Sequence, residues 1–138
     1  MKKLRYLLTA VLLTGLLFTA PSCGKYEDGP GFTLLTKKKR LIGDWDLVST
    51  TDSDGTMYAD NSSDFISYKK DDVFNATYGN YTIIGSWEFG SGKETIKTTF
   101  QIPFTEGQTT TIVTIRRLTN KELWTMDEDG DIFKFEKK

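Results

Sequence analysis

From Tyr81 to Phe89 the chain alternates, with Tyr81, Ile83, Gly85, Trp87 and Phe89 on one face and Thr82, Ile84, Ser86 and Glu88 on the other. A period of two marks a half-buried strand. The turn residues Gly90-Ser91-Gly92-Lys93 follow. With Ser91-Gly92 as a two-residue tip, Trp87 falls opposite Ile96 and both apolar rows face one side. Asp129-Gly130 is a pair suited to a type I′ turn. Counting outward from it sets Met126 opposite Phe133 and Trp124 opposite Phe135, so these four share a face while Thr125, Lys134 and Glu136 share the other.

The same reading finds a strand after Gly43, where Trp45 and Leu47 alternate with Asp44 and Asp46. Further short strands are predicted at Met57 to Ala59, Asp64 to Lys69, Val73 to Tyr78, Glu94 to Ile102 and Thr109 to Leu118. Before them, Leu34, Leu35, Lys38, Leu41 and Ile42 have a rough helical spacing with Thr36 as a cap, which predicts a short helical turn. About eight strands with turn signals every 8 to 12 residues point to an all-β, small antiparallel up-and-down barrel, whose closure removes exposed edges. The predicted inward row is rich in bulky groups: Trp45, Leu47, Ile66, Tyr68, Tyr81, Ile83, Trp87, Phe89, Ile96, Phe100, Val113, Ile115, Trp124, Met126, Phe133 and Phe135. An eight-stranded barrel is only just wide enough to be filled by side chains or to hold one small ligand. So many large residues predict little remaining cavity.

The first 22 residues do not fit this pattern. Lys2, Lys3 and Arg5 precede an apolar run, Tyr6 to Ala20, that is short for a membrane span and reads as an export signal. It ends in T-A-P-S-C-G, which resembles a bacterial lipoprotein signal with Cys23, the chain's one cysteine, as the acylated residue. Ala20 and Pro21 depart from the commonest form of that signal. Ordinary cleavage after Ser22 would leave a free thiol, a liability in an oxidising envelope. The chain therefore divides into a leader (1–22), a lipidated cysteine and tether (23–36) and a barrel domain (37–138). Two or more acyl chains suffice for stable anchoring without a membrane span. Removing the three basic residues of the leader leaves 15 basic against 19 acidic residues, formally minus four. Nothing in that balance points to nucleic acid. The run Lys37 to Arg40 is the local exception and reads as a solvated face near the tether.

Taken together, the Cys23 signal, the Gly29-Pro30-Gly31 tether, the basic helical turn, Gly43-Asp44-Trp45, the Gly85-Ser86-Trp87 strand, the I-R-R-L-T-N-K-E-L-W segment from Ile115 to Trp124 and the aromatic last strand resemble the lipocalin-like lipoproteins of Bacteroidetes. The resemblance covers essentially the whole chain after the leader. It implies a lipocalin-like barrel in which Gly43 admits a tight entry to the first strand and Trp45 plugs the closed base. It also implies that an arginine, Arg116 or Arg117, covers that indole by cation–π contact. The acidic K-Y-E-D stretch after Cys23 is similar to tags that send some such proteins to the outer face of the outer membrane.

The chain contains no histidine, so Ser-His-Asp and Cys-His catalysis and His-based zinc or haem sites are excluded. Asp52-Ser53-Asp54-Gly55 and Asp127-Glu128-Asp129-Gly130-Asp131 share residue types with calcium loops, but neither has the EF-hand spacing. They read as acidic hairpin tips. No catalytic residue, metal site or cofactor is expected. The functional expectation is a non-enzymatic, outer-membrane-anchored protein that binds a small apolar or amphipathic ligand, lined by Trp87, Phe89, Trp124 and Phe135. The alternative is a filled barrel that acts through its surface as an envelope interaction or inhibitor module.

Overall fold

A computed structural model of the chain describes residues 34–103 and 107–138. The leader, Cys23 and the first part of the tether lie outside the described residues. Helix α1 (Lys37–Leu41) is opened by Thr36, whose hydroxyl accepts from the backbone N–H of Lys39. It stops at Ile42, and Gly43 then turns the chain into extended backbone with φ of +142°. That value lies in the region where a side chain is strained, and a Cβ there would run into Cε of Lys137.

Nine strands follow: β1 (Gly43–Thr51), β2 (Met57–Ala59), β3 (Phe65–Tyr68), β4 (Val73–Tyr78), β5 (Tyr81–Phe89), β6 (Thr95–Phe100), β7 (Thr109–Leu118), β8 (Glu122–Met126) and β9 (Ile132–Lys137). Every neighbouring pair is antiparallel, and β9 closes onto β1 from Trp45↔Lys137 to Thr51↔Ile132. Eight strands therefore make a closed up-and-down barrel, as the alternation predicted. Strand β2 is an accessory. It pairs with the far half of β1 (Ser49–Thr51), where β3 has already parted from Asp46.

The interior is densest at the end where α1 docks. Leu41, Trp45, Ile96, Leu118 and Leu123 are fully buried there, with Trp87 beside them. Both buried indole N–H groups are satisfied, Trp45 donating to the Leu41 carbonyl at 2.8 Å and Trp87 to the Lys69 carbonyl at 3.0 Å. Lys137 fastens α1 to this base. Its ammonium donates to the carbonyls of Arg40 (2.9 Å) and Ile42 (2.7 Å) while lying 4.8 Å from the centre of the Trp45 ring. Lysine at the last carbonyls of a helix is favoured by the backbone dipoles. Burial pulls its pKa below the ordinary lysine value.

Two hairpin registers differ from expectation. The β5–β6 turn is longer than two residues, with Gly90 N–H donating to the Thr95 carbonyl, so Trp87 pairs with Thr98 and Phe89 with Ile96. A shift of two leaves each residue on its predicted face. The β8–β9 shift is by one. Asp127 and Asp131 close a three-residue loop, Gly130 takes φ of +90°, and Asp127 Oδ1 accepts from the N–H groups of Asp129 and Asp131. This is the turn-plus-bulge alternative to a type I′ tip. Trp124 now pairs with Lys134 and Leu123 with Phe135. Leu123 and Thr125 face the interior, and Trp124 and Met126 are turned out of it.

Candidate ligand cavity

Above the two tryptophans the inward positions become small. Ala76 on β4, Thr98 on β6 and Thr125 on β8 are almost fully buried, yet they are too short to meet across the barrel. What remains is a cavity of about 680 Å³ whose aromatic wall is formed by Phe74, Phe100, Phe133 and Phe135, with Ile66, Ile83 and Val113 between them. It opens at the end away from α1, where Tyr78 and Ile112, also in its wall, are 51% and 58% exposed. The expectation of a nearly filled barrel is thus corrected: the bulky residues cluster in the lower half.

The opening extends to one side because β8 is shorter than β7. Strand β7 meets β8 only between Thr114 and Leu118, whereas residues 109–113 pair with β6 alone. Across this gap stands the β8–β9 loop, and Asp127, Glu128 and Asp129 line the mouth. Among the described residues, the cavity wall includes no lysine or arginine. Polar groups also reach inward: Thr98 and Thr111 share a hydroxyl–hydroxyl bond of 2.6 Å. Tyr68 lies deepest, 3% exposed, its ring tilted on Phe74 and edge-on to Trp87, each at 5.5 Å between centres. Burial pushes its hydroxyl far above the ordinary tyrosine pKa, with nearby Tyr78 adding to the effect. Tyr78 itself is raised, first by burial and then by Asp64. Both phenols remain neutral donors near pH 7.

Of the four residues expected to line a ligand, Phe135 stands in the cavity wall. Trp87 lies beneath the cavity, packed between Tyr68 and Phe89, the latter edge-on at 5.4 Å. Trp124 stands on the outer side with Lys134 at 4.4 Å and Arg117 at 5.3 Å from its ring centre. The expected arginine cover of Trp45 is likewise replaced, because the β1–β9 register brings Lys137 onto that ring. Arg117 instead pairs with Glu122 at 2.9 Å, and Arg116 Nη1 reaches Met126 Sδ at 3.7 Å. The cause is a bulge: Ile115 pairs with Thr125 and Arg117 with Trp124, which leaves Arg116 as the extra residue. Ile115 and Leu118 are then both buried with the two arginines between them. The missed wall residues Phe74 and Ala76 carry a readable signal, since they alternate with Asn75 and Thr77 along β4.

No protein-family model matches the chain, and no curated protein sequence matches it. Among solved structures, it is similar to a lipocalin-like protein from Bacteroides uniformis, with a TM-score of 0.58 and 21% identity over 72% of this chain and 99% of that one. It is also similar to an uncharacterized protein from Bacteroides eggerthii, with a TM-score of 0.55 and 16% identity over 71% of this chain and 99% of the other. Such similarity establishes the fold, which is lipocalin-like.

Proposed function

We propose that this barrel is a non-enzymatic binding protein that holds one small apolar or amphipathic molecule, carried at the outer membrane of the cell envelope on a lipid attached to Cys23. The observation that supports binding is the cavity itself. Its volume of about 680 Å³ falls within the roughly 300–1,000 Å³ typical of small-molecule sites, and its wall is mainly apolar with a few placed hydroxyls. The open cavity favours this reading over a filled module acting only through its surface. The absence of histidine from the sequence supports a role without catalysis, because the acid–base and nucleophile pairings that need imidazole are excluded.

Native mass spectrometry of residues 24–138, purified without detergent and compared with the denatured sample, tests the binding reading. The expected result is an added mass that is lost on denaturation and is absent from a Phe133→Trp variant with a reduced cavity. A bare mass that persists after exposure to an envelope lipid extract would overturn it. The anchor is tested separately: Cys23→Ala is expected to move the protein from the membrane fraction to the soluble fraction. Unchanged membrane association in that variant counts against acylation at Cys23.

A further inference from the structure

Threonine hydroxyls lie along the cavity wall, whereas its acidic groups stand together at the mouth. At the mouth stand Asp127, Glu128 and Asp129, and among the described residues the wall holds no cationic side chain to neutralise them. Asp127 is tied into its loop by two backbone N–H groups, whereas Glu128 and Asp129 are exposed. At the deep end is Tyr68, 97% buried as a residue and part of the cavity wall. A hydroxyl presented to a cavity with apolar walls is a ready partner for an oxygen or nitrogen of a ligand that reaches it. The aromatic wall lies between, and low-dielectric walls focus the field of the carboxylates at the mouth.

We propose that the cavity selects an elongated amphiphile with a cationic nitrogen at the mouth and a hydrogen-bonding oxygen at its buried end, its apolar body held by the aromatic wall. This rests on the binding reading above and adds the charge and polarity of the ligand to it. Because Glu128 and Asp129 are solvated, their attraction sets preference among ligands more than absolute affinity. The Tyr68 hydroxyl, buried and neutral, acts on the other end as a donor of fixed position.

Isothermal titration of the full chain with decyltrimethylammonium, decanol and decanoate, each below its micelle concentration and at fixed ionic strength, tests the mouth. The ammonium is expected to bind about tenfold more tightly than the carboxylate, with the alcohol between them. The double variant Glu128→Gln/Asp129→Asn is expected to narrow that spread to about twofold. For the buried end, 10-hydroxydecyltrimethylammonium is expected to bind about threefold more tightly than its parent, an advantage lost in Tyr68→Phe. Equal binding of all three decyl probes would overturn the cationic preference while leaving the binding reading intact. A hydroxylated probe no better than its parent would overturn the role of Tyr68. Absence of binding by every probe would overturn both this proposal and the binding reading on which it rests.

Discussion

At the base of the barrel Leu41, Trp45, Ile96, Leu118 and Leu123 retain no exposed surface, whereas at the mouth Tyr78 and Ile112 are more than half exposed beside a cavity of about 680 Å³. Both ends arise from the same strands and the same alternation. Two things separate them. Helix α1 seals one end with Leu41 and a lysine clamp, and the inward residues change from indoles to Ala76, Thr98 and Thr125. Alternation decides which face a side chain takes; side-chain volume decides whether the faces meet. The base can therefore supply the stability that leaves the mouth free to remain open.

The largest effect expected from this contrast comes from truncating one large residue at each end. Trp45→Ala removes a fully buried indole and its bond to the Leu41 carbonyl, for an expected loss of about 3–5 kcal/mol. Phe133→Ala enlarges a space already open to solvent and is expected to cost about 1–2 kcal/mol, near the transfer term alone. Urea unfolding of both variants measures the difference. Equal losses would mean that the mouth carries as much of the stability as the base.

A smaller effect is expected where the base is closed by backbone geometry. Gly43→Ala places a methyl group at φ of +142° and against Lys137 Cε, so the lysine must shift and its bonds to Arg40 and Ile42 weaken. The expected cost is about 1–3 kcal/mol, most of it backbone strain. Retention of wild-type stability in the variant would show that α1 is not held to the base through this contact.

Much of this division was legible in the sequence. The Tyr81–Phe89 row has its predicted parity, although Tyr81 itself projects past the rim and is 66% exposed. Gly43 and Trp45 mark the base, and the count of eight barrel strands is right. The failures are local and share one cause. A single extra residue reverses every side chain beyond it, and the Asp-Gly signal does not reveal that Asp127 caps a three-residue loop. That one residue moved Trp124 from the expected cavity to the outer surface. The bulge at Arg116 likewise shifts the register of β7 between Ile115 and Arg117. The same register count set Thr125 on the outer face, and Thr98, between Ile96 and Phe100 on β6, is missing from the bulky inward row, so the barrel looked fuller than it is.

The smallest effect at neutral pH, and the one most specific to the boundary between the two regions, concerns Tyr68. Tyr68→Phe preserves the ring packing on Phe74 and Trp87 and removes only the hydroxyl that faces the cavity, so stability near pH 7 is expected to change by less than about 1 kcal/mol. In alkali the wild type and variant part company. The folded-state pKa of Tyr68 is raised well above that of an unfolded tyrosine, about 10, so from that pH upward the unfolded chain releases a proton that the folded one keeps. Stability tied to Tyr68 is therefore fully present below pH of about 10 and is lost as pH rises toward the folded-state value. Lys137 has the opposite sign: its lowered pKa means that the penalty for burying its charge fades as pH rises through the folded-state value toward the ordinary lysine pKa. Because Lys137 is common to both proteins, its contribution cancels in the comparison. Unfolding free energies measured from pH 8 to 11.5 should diverge above about 10, with Tyr68→Phe declining less steeply. Parallel curves would mean that the phenol reaches solvent through the mouth and ionises as it does in the unfolded chain, placing Tyr68 with the open half of the barrel instead of the sealed one.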